Sequence, residues 1–199
     1  MQRYGRNLHL NKQEKQQKDS DPAVQPSEQN VLAACKRGDR CAQKALYDSL
    51  AQKMFAVCLR FMGDRESAED ILQEGFITLF SRLDRYSGEG SFEGWARKIF
   101  VNTALMNLRK KDALKESEDL ETARDIRSDG VTQLQNIGYH ELLKLIAGLP
   151  CGYRTVFNLS VIEGYSHKEI AQVLGITEAT SRSQLQRARM LLQDKIKKM

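Results

Sequence analysis

The sequence lacks the patterns that membrane-bound and disulfide-bonded proteins need. No apolar run approaches the ~20 residues of a membrane-spanning helix. The first residues contain no apolar signal-peptide core. The four cysteines are scattered, without a Cys-x-x-Cys pair, so neither a zinc site nor a redox pair is predicted. We therefore expect a cytoplasmic protein without membrane insertion, whose cysteines are reduced and mostly fill the core.

Patterns typical of catalysis are missing as well. The chain has no convergent carboxylate cluster, no metal-ligand spacing and no glycine loop that could cradle a phosphate. His167 has no second His or Cys nearby with which to share a metal, and we expect it at the surface. The sequence therefore predicts a protein that is not an enzyme and that needs no metal and no cofactor.

Charge is plentiful but unevenly distributed. Lys and Arg number 31 against 26 Asp and Glu, which leaves a formal net charge of +5. Residues 97–111 and 182–198 are rich in Lys and Arg, whereas 112–129 are acidic. Two basic patches separated by an acidic spacer indicate two contacts with a polyanion.

The apolar residues recur at helical spacing, and no segment alternates as a strand does. Turns are expected at 38–39 and 63–64, and helices from about 94 to 111 and over the apolar segment 156–162, which Gly164 ends. The last helix is expected to bury one face, formed by Ser181, Leu185, Ala188 and Leu192. We predict an all-α protein with two helical domains joined by a flexible linker. The predicted organisation is a disordered arm over 1–27, a first domain over 28–111, an acidic flexible linker over 112–138 and a second domain over 139–199.

The second domain contains the pattern of a helix-turn-helix. Ser166 and Glu169 form a capping box, Gly175 suits a tight corner, and Thr177 can cap the helix that follows. The outward side chains near the start of that helix would meet base edges in a major groove, and a later arginine would contact phosphate. They are Glu178, Ala179, Arg182, Ser183, Gln186 and, for phosphate, Arg187. The alternative is an ordinary helix pair with a solvated charged face.

Two helices of the first domain also present unusual faces. On the earlier helix, acids alternate with Gln73 and Ile77, which is more typical of an interface than of a uniform charged surface. On the later helix, a stripe that starts at Trp95 is apolar and becomes polar toward Arg109. Phe92 and Trp95 could stack on unpaired bases or could belong to the core. Both alternatives remain open for both helices.

Three motifs in this order resemble those of bacterial RNA polymerase sigma factors of the small extracytoplasmic-function group, within the sigma-70 family. They are Ala68-Glu69-Asp70-Ile71-Leu72-Gln73-Glu74 followed by Phe76; Phe92-Glu93-Gly94-Trp95 with Ile99, Asn102 and Arg109-Lys110; and Glu163-Gly164-Tyr165-Ser166, Glu169-Ile170-Ala171, Leu174-Gly175-Ile176, Thr180 and Arg187-Ala188-Arg189. The resemblance covers about 30–111 and 139–197.

The resemblance implies a function and a set of partners. The chain would direct core RNA polymerase to promoters, through the β′ clamp helices and the β flap, and an anti-sigma factor would hold it silent. Polymerase contacts would be made by Asp70, Gln73, Glu74 and Ile77. The melted −10 strand would be held near Trp95, Asn102, Asn107, Arg109 and Lys110, and the −35 duplex would be read by the second domain.

The sequence departs from the family pattern at four positions that bear on promoter sequence. Met106 stands where a polar residue is common, and Ala179, Ser181 and Gln184 replace commoner residues in the reading helix. The stretch from Thr180 to Gln184 resembles a Bacteroidetes variant. These changes would alter base preference without abolishing binding.

Two other classes of protein fit parts of the sequence. One is a DNA-binding regulator whose first domain senses a ligand or dimerises, and which would give a footprint with dyad symmetry. The other is a helical enzyme that modifies nucleic acid, against which the missing catalytic patterns argue.

Overall fold

The computed structural model describes residues 28–115 and 137–198, and within these ranges the regular structure is entirely helical. A 3₁₀ turn, Leu83–Arg85, follows the third helix, and a π turn, Asn158–Ile162, continues the sixth. The helices are α1 (Glu28–Lys36), α2 (Arg40–Met62), α3 (Arg65–Ser81), α4 (Phe92–Lys115), α5 (Ile137–Ala147), α6 (Cys151–Phe157), α7 (His167–Leu174) and α8 (Glu178–Lys197). The predicted all-α fold is confirmed.

Local side-chain caps set the helix starts in the first domain. The Asp39 carboxylate accepts hydrogen bonds from the first amides of α2, and the Asp64 carboxylate accepts from Ser67 N at 2.8 Å to start α3. Each cap satisfies amide groups that have no partner within the helix. The predicted turns at 38–39 and 63–64 therefore lie between helices, as expected.

Helices α1 to α4 pack around one apolar core. This core continues into the second domain through Val156, Leu159, Ile170 and Leu185. Phe61, Ile71, Leu79 and Phe100 are among its largest fully buried side chains. The rings of Phe76 and Phe100 meet edge to face, with centroids 5.1 Å apart. Because α3 and α4 bury one face each in this core, their opposite faces are left for contacts with other molecules.

The helix expected over about 94–111 is longer at both ends. Ser91 Oγ accepts a hydrogen bond from Gly94 N at 3.1 Å, which lets α4 begin at Phe92. At the other end the helix continues to Lys115 through residues that favour helix, such as alanine, leucine and lysine. The predicted arm over 1–27 and most of the predicted linker over 112–138 lie outside the described residues.

In the second domain, α6 and α8 pack on a smaller apolar cluster with Leu149, Ala188 and Leu192. The sequence predicted one helix over the segment that ends at Gly164, whereas the structure has α6 followed by a π turn. A π turn holds more residues per turn than an α-helix, so side chains after it leave the α-helical register. Val161, expected among the apolar positions, is 48% exposed.

The cysteines divide into two pairs. Cys35 and Cys58 are buried, and burial raises the pKa of the Cys58 thiol to about 12. Cys41 and Cys151 are exposed. The expectation that the cysteines mostly fill the core is therefore right for two of the four.

The described helices include none that is both long enough and apolar enough to cross a bilayer. Across the same residues, no group of three or more His, Cys, Asp or Glu side chains has a metal-binding arrangement.

Candidate polymerase and promoter interfaces

The predicted helix-turn-helix is formed by α7 and α8. Both halves of the capping box are present: Ser166 Oγ accepts from Glu169 N, and Glu169 Oε2 accepts from Ser166 N at 2.8 Å. The Ser166 hydroxyl also donates to Glu169 Oε2 at 2.7 Å. The hydroxyl and amide bonds to the carboxylate lower the pKa of Glu169. Gly175 ends α7 with φ of +69°, a left-handed conformation that side chains disfavour, and Thr177 caps α8.

A polar contact that the sequence did not predict fixes the two helices against each other. His167 Nδ1 and Ser181 Oγ lie 2.8 Å apart, and Ser181 is fully buried. The expectation that His167 is an ordinary surface residue is wrong, because its ring turns inward to a hydroxyl on α8. Ser181, one of the departures from the family pattern, thus helps to orient the reading helix.

The outer face of α8 presents the residues expected to contact the −35 duplex. Ala179, Arg182, Ser183, Gln186 and Arg187 are exposed, while Glu178 is half-buried. The opposite face is buried, as predicted, by Ser181, Leu185, Ala188 and Leu192.

Two side-chain contacts hold arginines on the α8 face. Arg182 Nη2 donates to Glu178 Oε2 at 2.7 Å, one helical turn earlier, and the Arg182 side chain is 61% exposed. Arg187 Nη1 donates to the Tyr153 hydroxyl at 3.2 Å, which ties it to α6. An exposed pair one helical turn apart contributes only about 0.2–0.5 kcal/mol, so Arg182 can exchange Glu178 for DNA.

On α3, four residues expected to contact the polymerase share one exposed face. Asp70, Gln73, Glu74 and Ile77 follow helical spacing, and all are exposed. Ile77 is 71% exposed, the largest exposed fraction among the large apolar side chains of the described residues. The buried stripe of α3 lies opposite, so this face combines acid, amide and apolar groups.

On α4, the predicted stripe passes from buried to exposed along the helix. Trp95 is half-buried and packs against Tyr86 and Phe92, whereas Asn102 is exposed and Met106 is 58% exposed. Phe92 is only 3% exposed, so it belongs to the core and cannot stack on bases. Arg109 and Lys110 are exposed at the far end of the stripe.

Asn107 does not share the face of Asn102. Five residues on an α-helix turn about 500°, which points the two side chains roughly 140° apart. Asn107 is half-buried, and its Oδ1 atom is buried without a hydrogen-bond partner among the described residues. The exposed face around Asn102 contains Met106 and Arg109 instead.

A group of polar residues between the two domains was missed by sequence reasoning. Arg60 and Arg97 of the first domain contact Glu163 of the second, and Arg154 and Asn158 of the second reach the end of α2. The available signal was weak: Arg154 and Asn158 are polar residues four apart in a helical segment that also contains apolar residues. Only the fold shows which groups they meet.

Comparison with known families assigns both domains. Residues 46–114 match the family model described as sigma-70 region 2. Residues 139–192 match the one described as sigma-70, region 4. The region 2 match lies in the first helical domain and the region 4 match lies in the second.

Characterised relatives match along most of the chain. The SigE extracytoplasmic-function RNA polymerase sigma factor of Mycolicibacterium smegmatis is 32% identical, over 89% of this chain and 71% of that protein. The RNA polymerase sigma-H factor of Pseudomonas aeruginosa is 30% identical, over 83% of this chain and 92% of that protein. SigW, an extracytoplasmic-function sigma factor of Bacillus subtilis, is also 30% identical, over 81% and 92%.

A solved structure shows the same fold. The sigma factor RpoE of Bartonella quintana, crystallised with the anti-sigma factor NepR, superposes with a TM-score of 0.50 at 19% identity. The superposition covers 77% of this chain and 96% of that one.

The fold and the two family matches together define a two-domain helical transcription initiation factor. The chain belongs to the extracytoplasmic-function group of the sigma-70 family of RNA polymerase sigma factors. It directs RNA polymerase to promoters to initiate transcription, and its partners are the core polymerase and promoter DNA. The Bacteroidetes-like variant in α8 stays a prediction.

Proposed function

We propose that the outward faces of α3, α4 and α8 divide the work of a sigma factor. The α3 face grips the core polymerase, α4 holds the melted −10 strand, and α8 reads the −35 duplex. The observation that supports this assignment is common to all three helices: one face is buried in a core while the opposite face exposes most of the expected residues.

The α3 face fits a protein partner because its groups are mixed. Asp70 and Glu74 supply negative charge, Gln73 supplies an amide, and Ile77 supplies apolar area at the end. An apolar side chain that is 71% exposed in the free chain gains most from burial against a partner. We assign this face to the clamp helices of the β′ subunit, and we assign no residues to the β flap contact.

The α4 face fits single-stranded nucleic acid. Asn102 can hydrogen-bond a base edge, Arg109 and Lys110 can contact phosphates, and Trp95 offers part of an aromatic face. Flipping a base out of the stack costs a few kcal/mol, roughly what stacking and hydrogen bonds can offset. Asn107 enters this site only if its side chain turns outward, because its oxygen is buried in the free chain.

None of these roles makes or breaks a covalent bond. We therefore propose a non-catalytic initiation factor that needs no cofactor and that acts in the cytoplasm, where polymerase and chromosome meet. We also propose that an anti-sigma factor controls it, as NepR is bound to the Bartonella quintana sigma factor in the solved complex.

The Gln73→Ala variant tests the polymerase assignment. Removing the amide from the centre of the α3 face should weaken binding to core polymerase by roughly tenfold, about 1.4 kcal/mol. Binding is measured by titrating labelled full-length chain with core enzyme. The matched control is Gln29→Ala, which removes an exposed amide on α1 in the same domain.

The control variant should bind as the unmodified chain does. If Gln73→Ala also binds with unchanged affinity, the α3 face is only a solvated surface and the assignment is wrong. Far-ultraviolet circular dichroism of both variants excludes unfolding as the cause of a loss.

A further inference from the structure

Tyr153, in the first turn of α6, presents a fixed hydroxyl beside the reading helix. Its ring is half-buried and packs on the small apolar cluster of Leu149, Ala188 and Leu192. Its hydroxyl oxygen accepts a hydrogen bond from Arg187 Nη1 of α8 at 3.2 Å, and this bond is exposed. The packed ring therefore holds the hydroxyl at the surface, next to a guanidinium group on α8.

The start of α6 also lies close to α8 one turn before Arg187. A Cβ atom at Gly152 would lie 3.4 Å from Gln184 Nε2, which is a tight contact. The position of α6 relative to this flank of α8 is therefore set at two successive turns, at Gln184 and at Arg187.

The hydroxyl of Tyr153 has a hydrogen to donate. A tyrosine hydroxyl can both donate and accept, whereas a guanidinium group can only donate. Arg187 is therefore the donor in the bond to Tyr153, and the hydroxyl hydrogen has no acceptor among the described residues. Arg187 itself forms no salt bridge within the same residues. The pair thus offers an O–H group, several N–H groups and an unpaired positive charge, which is the chemistry that binds a phosphate group.

The pair lies at the flank of the face that is assigned to the bases. Adjacent residues of an α-helix point about 100° apart, so Arg187 lies to one side of Gln186. The major groove is about 12 Å wide and a helix with its side chains is about 10–12 Å across. The flanks of a helix that lies in the groove are therefore close to the phosphate backbones.

We propose that Tyr153 is a further contact of the −35 duplex, and that its hydroxyl and Arg187 bind the same backbone phosphate. The hydroxyl donates a hydrogen bond to one phosphate oxygen, and Arg187 donates to another while it keeps the Tyr153 oxygen as a partner. This contact extends the DNA-binding surface from α8 to α6. The inference rests on the proposed assignment of α8 to the −35 element.

The test variant is Tyr153→Phe in the full-length chain, which removes the hydroxyl and keeps the ring in its apolar cluster. Its affinity for a duplex with the −35 element of a mapped promoter should fall by roughly threefold to tenfold, as expected for one hydrogen bond. The loss should be equal for duplexes with single base substitutions, because a phosphate contact reads no base. The matched control is Tyr47→Phe, which removes an exposed tyrosine's hydroxyl from α2 and should change nothing.

Salt dependence separates the hydroxyl from the guanidinium. Arg187→Ala should reduce the salt slope by about one, whereas Tyr153→Phe should leave the slope unchanged, because a neutral hydroxyl displaces no counterion.

Duplexes with a single methylphosphonate, which removes the charge of one phosphate, locate the contact. The effect of Tyr153→Phe should shrink at one backbone position and persist at the others. Arg187→Ala should have its smallest effect at that same position, since both side chains bind one phosphate.

The proposal is overturned if Tyr153→Phe binds the −35 duplex with unchanged affinity, or more tightly, or if no methylphosphonate position reduces its effect. It is also overturned if the loss is accompanied by a lower salt slope and vanishes in an Arg187→Ala background. In that case the tyrosine acts only by holding the guanidinium. Failure of the proposed function looks different, because the unmodified chain then binds the −35 duplex no better than a duplex of unrelated sequence.

Discussion

At the scale of single residues, promoter reading depends on side chains that the free chain holds only loosely. Arg182 is exposed and paired with Glu178, a weak contact that a base edge can replace. Arg187 is tied to Tyr153 on a different helix and lies one turn further along α8. The two arginines therefore have different expected partners, a base for Arg182 and a phosphate for Arg187.

Replacing Arg182 with alanine should relax specificity at one base pair of the −35 element. A guanidinium that bonds a base edge contributes about 1–3 kcal/mol of discrimination, so the loss should be confined to promoters that have the preferred base. The measurement is the affinity of the full-length chain for a panel of −35 duplexes with single substitutions. Arg187→Ala should instead weaken binding to every duplex equally and reduce the salt slope by about one. A uniform loss for Arg182→Ala would reassign that residue to phosphate.

The sequence predicts the surroundings of some functional side chains but not of others. The exposed face of α8 follows directly from helical periodicity, because its buried partners are apolar or small. The inward turn of His167 does not, since its partner Ser181 lies 14 residues away and is itself polar. Asn107 was grouped with Asn102 because they are close in sequence, although helical geometry directs them apart.

At the scale of elements, most helices were predictable because their starts and ends are encoded locally. Asp39, Asp64, Ser166 and Thr177 all act as N-caps in the structure. The π turn over Asn158–Ile162 was not predictable, since its apolar pattern is also that of a continuous α-helix. It ends beside Glu163, the carboxylate of the second domain that Arg97 and Arg60 of the first domain contact.

The hydrogen bond from Thr180 N to Thr177 should contribute measurably to the stability of the first turn of α8. Thr177 Oγ1 accepts a hydrogen bond from Thr180 N at 3.0 Å, and loss of such a cap costs about 1 kcal/mol. Thr177→Ala should therefore speed hydrogen exchange in the first turn of α8 by ~fivefold, as measured by mass spectrometry. Thr177→Ser keeps the hydroxyl and serves as the control. Equal exchange in the alanine and serine variants would show that this cap does not stabilise α8.

At the scale of the whole molecule, the two domains and their order could be predicted, but their contact could not. Apolar periodicity reports which face of a helix is buried, not which helix covers it. The bonds between Glu163 and Arg97 join residues 66 apart, and those from Arg154 to α2 join residues more than 90 apart. No local pattern encodes pairs at such separations. The contact between the two domains is therefore a result of the structure alone.

The central claim is that this chain confers promoter-specific initiation on RNA polymerase, and run-off transcription tests it most directly. Cognate core polymerase, genomic fragments and saturating purified chain are mixed, and transcripts are mapped to their start sites. The account predicts discrete starts that depend on the chain and that weaken by roughly tenfold when Gln73→Ala replaces the unmodified chain at the same limiting concentration. Transcription that starts at the same places with and without the chain would contradict it.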